Sequence, residues 1–149
     1  MRRVLGVLSV LLLLICTAEA VSAQDAGLGP QSRQGNGFEL GLNYPNPFNP
    51  ETTIPFALGE GLFVDGRPAV VSIRIFNILT QLVAHPVALG HPSGSGVEVD
   101  QLEYTQPGRY EAFWNGTDLM GRQVASGIYL MQLSVNGLKP LTRKIIVLK

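Results

Sequence analysis

Along the chain, apolar residues recur with a period of two. Val70 to Phe76 is the clearest case, with Val71, Ile73 and Ile75 on one face and Ser72 and Arg74 on the other, the alternation of a half-buried β-strand. Glu51 to Leu58 sets Ile54, Phe56 and Leu58 against Thr53, Pro55 and Ala57. Proline cannot donate to a ladder, so Pro55 predicts a sheet edge or a bulge. Gln81 to Leu89 predicts a further strand, with His85-Pro86 marking an edge or a break, and Val97 to Tyr104 a short one. After the Pro107-Gly108 turn, Tyr110, Ala112 and Trp114 share a face, and Gly127 to Val135 is strongly apolar. Asn136-Gly137 supplies the pair of positive φ values that a two-residue type I′ hairpin demands. In the closing segment, Ile145 and Val147 oppose Ile146 and Leu148. That pattern predicts a strand buried on both sides, or one left apolar where a partner docks, and burial is the commoner cause.

Turn signals punctuate these runs. Asp65-Gly66 predicts a hairpin-type turn, Asn77 to Thr80 another, Gly90 to Gly96 a surface loop, and Asn115 to Gly121 a polar connection. Tyr44 to Pro50 holds three prolines, which fix φ and push each preceding residue toward extended backbone. No apolar period of 3.6 residues persists over three turns outside the N-terminal segment. The pattern therefore predicts an all-β protein, an antiparallel sandwich of about seven strands.

The N-terminus changes the domain count. Arg2 and Arg3 precede an apolar run of 12 residues, Val4 to Ile15, and small residues follow at Ala18, Ala20, Ser22 and Ala23, the layout of a secretory signal peptide. The run falls short of the ~20 residues a membrane-spanning helix needs. Cleavage is expected between Ala23 and Gln24, with the bond after Ala20 as second choice, and the bulky Ile15 argues against lipid attachment at Cys16. This divides the chain into a leader (residues 1–23), a flexible linker (24–37) and one folded domain (38–149), with no spanning segment after cleavage. The 11 basic and 11 acidic residues build no clustered field for nucleic acid. One cysteine and two histidines exclude a disulfide framework and most metal sites.

Candidate chemistry is sparse. Gly94-Ser95-Gly96 lacks the spacing of a nucleophile turn. His85 and His91 are each followed by proline, have no carboxylate in the local sequence, and are expected at exposed loops or edges. Asn115-Gly116-Thr117-Asp118 lacks the full pattern of a calcium loop, so turn chemistry is the preferred explanation; Asn115-Gly116-Thr117 matches a glycosylation sequon at chance level. Arg143, Lys144 and Lys149 form a basic C-terminal cluster whose plain explanation is a solvated strand end. No catalytic residue, cofactor, metal or small-molecule substrate is expected.

The order of segments nevertheless resembles a known family. Tyr44-Pro45-Asn46-Pro47-Phe48-Asn49-Pro50, followed by Trp114-Asn115-Gly116, Ser126-Gly127-Ile128-Tyr129 and the terminal Arg143-Lys144 through Lys149, is similar to the type A C-terminal sorting domain of type IX secretion. The resemblance covers about Phe38 to Lys149. It implies an Ig-like sandwich, non-catalytic, that directs an exported protein through the periplasm and across the outer membrane to the cell surface or the medium, with a secretion translocon and a sortase as partners and proteolytic removal between about Gly27 and Leu40. It also implies that the last strand, with Lys144 and Lys149, is the most exposed part of the signal, offering an edge for β-augmentation. The fold is similar as well to the C-terminal part of the flagellar hook-capping protein FlgD, which leaves open a structural or adhesive module retained in the periplasm or in a surface assembly. The sequence departs from the family in three ways. Thr80 replaces the usual Gly, Gly59 to Pro68 and Gly90 to Gln101 resemble loop insertions that leave the scaffold alone, and only about 14 residues, Gln24 to Gly37, stand where cargo is expected.

Overall fold

A computed structural model describes residues 37–149. The leader, the linker as far as Asn36 and the Ala23–Gln24 bond lie outside the described residues. The strands are β1 (Phe38–Leu40), β2 (Thr52–Leu58), β3 (Ala69–Asn77), β4 (Leu82–Ala84), β5 (Val87–Leu89), β6 (Leu102–Tyr104), β7 (Gly108–Trp114), β8 (Gly127–Val135) and β9 (Leu141–Val147). They form two antiparallel sheets, one ordered β1-β2-β7-β5 and the other β4-β3-β8-β9, with β6 also paired to β3. This is the all-β sandwich that the period-two pattern predicts. Between the sheets lie Ile54, Phe56, Ala112 and Trp114 from the first and Val71, Ile73, Ile75, Met131, Leu133 and Ile145 from the second, all buried. Burying each large apolar side chain in such a layer contributes roughly 1.5–3 kcal/mol.

The described residues hold nine strands because two features escape a period-two search. Strand β1 is only three residues long and recognisable only by its pairing with β2, from Phe38–Leu58 to Leu40–Phe56. Gln81–Leu89 is two strands in different sheets: β4 pairs with β3, β5 pairs with β7, and the chain crosses between them at His85-Pro86. Pro86 is fully buried at this crossing. The segment after the Gly90–Gly96 loop crosses back. Ala88 N–H donates to Val97 C=O at 2.7 Å, Val99 N–H donates to Pro86 C=O at 2.8 Å, and Ile73 N–H donates to Val99 C=O at 2.7 Å. Residues 97–99 are thus shared by two sheets, and the strand expected over Val97–Tyr104 shrinks to β6. The expectation that this insertion leaves the scaffold untouched is corrected, because Val99 is wholly inside the core.

Three further expectations change. Strand β2 is central, not an edge, since it pairs with both β1 and β7. Pro55 is tolerated because β1 has already ended at Leu40; Gly41 donates to Pro55 C=O at 2.8 Å, and a Cβ on Gly41 would lie 2.7 Å from Pro55 Cγ. Asp65-Gly66 takes positive φ values of 62° and 69° but lies within the second of two short 3-10 turns, Glu60–Leu62 and Val64–Gly66, and closes no hairpin. The histidines are not exposed. His91 is buried, its Nε2 lies 2.9 Å from Glu103 C=O, and its ring meets Tyr104 edge-on at 4.8 Å. The His85 side chain is 12% exposed, with Nδ1 4.0 Å from Asp100 Oδ1.

Candidate functional site

One end of the sandwich gathers several of the residues that the family resemblance singles out. There β2 and β8 begin, β3 and β7 finish, and β9 runs out. From β1 the chain leaves the first sheet and is pinned to β2 by reciprocal Tyr44–Thr53 bonds, each of 2.9 Å. It then lies alongside β9 before returning to start β2. Phe48 N–H donates to Ile146 C=O at 3.1 Å, Leu148 N–H donates to Phe48 C=O at 2.9 Å, and Ile146 N–H donates to Asn46 Oδ1 at 3.1 Å. The Phe48 ring, 1% exposed, enters the core and meets Trp114 at 5.3 Å. Trp114 in turn packs on Tyr129 at 5.9 Å and donates from Nε1 to Thr117 C=O at 2.9 Å. The Tyr129 hydroxyl donates to Ala125 C=O at 3.0 Å.

Gly116 explains the Trp-x-Gly spacing. Its φ is +72°, and a Cβ there would come within 2.3 Å of Pro50 C=O, so only glycine lets the connection after β7 lie against the heptapeptide. Next to it, Thr117 N–H and Oγ1 donate to Asn115 Oδ1 at 3.1 and 2.7 Å. Asp118 Oδ1 accepts from the Met120 and Arg122 amides at 2.9 and 3.0 Å, and Asp118 Oδ2 takes the Arg122 guanidinium at 2.9 and 2.8 Å. Those Arg122 bonds hold the Asp118 carboxyl below its ordinary range despite a small opposing effect of desolvation. These oxygens serve the turn itself. Among the described residues no three of His, Cys, Asp and Glu stand together as metal ligands.

Asn46, Phe48, Pro50, Trp114, Gly116 and Tyr129 are thus brought together, while the remaining motif residues are not. Tyr44 is on the surface, its hydroxyl donating to the Glu111 carboxylate; that hydrogen bond, with some burial and the Glu111 charge, raises the Tyr44 pKa. Pro45, Pro47, Asn49 and Ser126 are exposed, and Gly127 opens β8 opposite Val147. Arg143 is no free cation, since its Nε donates across the side of the sandwich to Leu40 C=O at 2.6 Å. Lys144 and Lys149 are exposed. The terminal strand is buried on one side only: Ile145 and Val147 are inside, Ile146 is half-buried and Leu148 is exposed. Its edge is not the open handle expected, because the Ile146 and Leu148 backbone groups are engaged by the heptapeptide. Alternation along the strand turns the backbone groups of Thr142 and Lys144 outward as well, and among the described residues nothing beyond β9 bonds to them.

Two partners were not foreseen. Asn43 Nδ2 donates to Thr52 Oγ1 at 2.9 Å and to Pro45 C=O at 3.1 Å, and Thr52 Oγ1 donates to Pro45 C=O at 2.9 Å. This buried polar knot anchors the start of the heptapeptide. An asparagine just ahead of an X-Pro pair was the available signal. Beside the cluster, an open cleft of about 550 Å³ runs between the β3–β4 turn and the β7–β8 connection, lined by Asn77, Gln81, Leu82, Asp118, Leu119 and Tyr129 among others.

The class defined is an all-β antiparallel sandwich domain. No family model and no curated protein matches the chain. Among solved structures it is similar to a segment of dimeric latent PorU from Porphyromonas gingivalis, with 20% identity and a TM-score of 0.49, over 76% of this chain and 9% of PorU. A likeness at that level carries no functional argument. Among the described residues no helix is long and apolar enough to cross a membrane.

Proposed function

We propose that the chain is an exported, non-catalytic Ig-like module of the type IX sorting class, delivered to the cell surface or the medium and recognised by a secretion translocon and its sortase. One observation carries this reading: the segments that match the family's order, far apart in sequence, fold into a single physical unit in which Asn46 and Phe48 bond to Ile146 and Leu148 and Pro50 lies against Gly116. The signal would then be the folded end of the sandwich, not a linear tag. A second reading, a FlgD-like structural or adhesive module that stays in the periplasm, is favoured by the partial sealing of the β9 edge, which shortens the backbone available for augmentation.

Intact-mass measurement of secreted and periplasmic fractions separates the two. The sorting reading expects the protein at the surface or in the medium, with its new N-terminus mapped beyond Gln24 if the sortase acts. A species starting at Gln24 and confined to the periplasm rejects it. Deleting Ile145–Lys149 removes two core side chains as well as the edge, so Lys144→Gln with Lys149→Gln is the cleaner test of the basic residues. Secretion at the normal level by that pair removes them from the signal.

A further inference from the structure

Two histidines bracket β5 in the chain, and their rings are held in opposite ways. His91 follows the strand and is buried. Its Nε2 lies 2.9 Å from Glu103 C=O, and its Nδ1 lies 3.1 Å from the Ser93 amide nitrogen. A carbonyl only accepts and an amide N–H only donates, so the two contacts fix the ring as the neutral imidazole with its proton on Nε2. Strand β5 belongs to the first sheet, whereas β6, which carries Glu103, is paired to β3 of the second. The ring thus ties the Gly90–Gly96 loop across the sandwich. His85 precedes the strand. Its Nδ1 is buried, has no hydrogen-bond partner among the described residues, and faces Asp100 Oδ1 at 4.0 Å.

A second proton acts differently at each ring. On His91 it would occupy Nδ1 and set one N–H against another, leaving the Ser93 amide without its acceptor. The groups facing this ring offer little compensation. The loop carries no charged side chain, Tyr104 of β6 meets the ring edge-on at 4.8 Å, and Tyr110 of β7 stands behind Tyr104 at 4.5 Å. Glu103 is exposed and turns its backbone carbonyl to the ring, and among the described residues no carboxylate lies within ion-pair distance of His91. On His85 the proton would supply a donor to the Asp100 carboxylate, which Arg74 of β3 already holds at 2.9 Å; Glu98 and Asp118 line the same small cleft of about 240 Å³ as His85. The loop's own bonds are few, Gly94 N–H to His91 C=O at 2.9 Å and Gly96 N–H to Ala88 C=O at 3.2 Å. Gly94 and Gly96 have φ of 119° and 81°, with nothing within 4 Å of an added Cβ, so little backbone stiffness holds the loop once the ring lets go.

We propose that β5 is an acid-sensitive element, in which protonation of His91 releases the Gly90–Gly96 loop and uncovers Tyr104, while protonation of His85 draws that ring onto Asp100 and keeps the crossing between the sheets shut. The open loop binds one proton more than the closed loop, so acid favours opening; at the crossing the closed form binds the extra proton, so acid favours closure. The inference stands whether or not the chain is sorted. The test is residue-resolved amide exchange of the full chain at about pH 7 and about pH 5, the range in which histidine titrates, corrected for the intrinsic pH dependence of exchange. Protection of the Ser93 amide should fall about tenfold. Protection of Val99, whose amide donates to Pro86 C=O beside His85, should not fall. His91→Gln keeps a donor and an acceptor but has no titrating proton, so Ser93 protection should become the same at both pH values; His85→Gln should leave the Ser93 response intact. Thermal melts verify that each variant is folded. Should His91→Gln fail, the parent ring decides, its nitrogen chemical shifts being expected to show the Nε2–H tautomer at neutral pH and the imidazolium where Ser93 loses protection. The proposal is overturned by Ser93 protection that does not fall on acidification, by a folded His91→Gln chain that still loses it, by an imidazolium present at neutral pH with Ser93 still protected, or by an equal loss at Val99 and Ile73, which would be acid unfolding of the whole sandwich.

Discussion

The side of the sandwich between β1 and β9 is closed by Gly41–Pro50, while the side between β5 and β4 is closed by the crossing at His85-Pro86 and its return through Val97–Asp100. Both bring chain from one sheet against the other, and each leaves a buried polar atom without a hydrogen-bond partner among the described residues, Asn43 Oδ1 on the first and, on the second, His85 Nδ1, which faces Asp100 at 4.0 Å. They differ in what holds them. The first is anchored by an aromatic side chain driven into the core and by backbone bonds to β9. The second has backbone bonds too, but beside them runs a titratable group: Arg74 donates to Asp100 at 2.9 Å with His85 close by, and Tyr104 is buried beneath His91. The first side should therefore respond to changes of shape and the second to changes of pH and salt.

The sharpest way to break that comparison is Phe48→Ala. Removing a fully buried ring should cost about 3–5 kcal/mol and release the C-terminal end of β9, read as a lower melting temperature and faster amide exchange at Ile146 and Leu148. A variant as stable as the parent would show that the anchor is not Phe48. Gly116→Ala comes next, at about 2–3 kcal/mol, because the added methyl group meets Pro50 C=O in a left-handed backbone. A loss no larger than that of alanine at an unhindered site would mean that the contact relaxes.

On the other side, burial, with a smaller effect of Tyr110, pushes the Tyr104 hydroxyl up to about 12. A tyrosine whose pKa is raised on folding contributes stability that is present below pH 10 and lost as pH rises to about 12, here about 2–3 kcal/mol. Tyr104→Phe should flatten the alkaline limb of the stability curve, and an unchanged limb would assign it to other groups. Thr80, at φ 58°, occupies a conformation costly to a β-branched residue. Thr80→Gly should stabilise by about 1 kcal/mol, and a lower melting temperature would contradict that.

The smallest effect is expected at Asp100. Partial burial raises its pKa, but hydrogen bonds from Arg74 and Ser72 and the nearby His85 outweigh this, so the net shift is downward. A depressed carboxylate contributes stability above its unfolded value of 3.8, and that contribution is lost as pH falls through the lower folded value. Because the pair is one-third exposed, Asp100→Asn should cost only about 0.2–1 kcal/mol at neutral pH, less in high salt, and nothing once the carboxylate is protonated. A cost that persists at acid pH would show that its role is not electrostatic.

Much of this was legible beforehand. The alternation in Val70–Phe76 and Gly127–Val135 marked β3 and β8, and Asn136-Gly137 turned as expected, with φ values of 50° and 69°. Among the candidate site residues, Trp114 and Gly116 could be singled out, although not the reason that position 116 must be glycine. The histidines were misplaced because a proline neighbour describes backbone shape and says nothing of burial. Pro55 misled because the missing donor matters only where a strand still runs alongside, and β1 has ended by then.

By itself the sequence determined which side chains share a face and where the chain must turn, because those depend on neighbours a few residues away. Only the tertiary structure decided which sheet each strand joined, that the heptapeptide would close on the final strand, and which basic groups were already engaged. Asn46 and Ile146 are 100 positions apart, and no local propensity encodes a bond between them; it depends on the two sheets meeting, since the buried Phe48 ring packed on Trp114 is what holds the heptapeptide against β9.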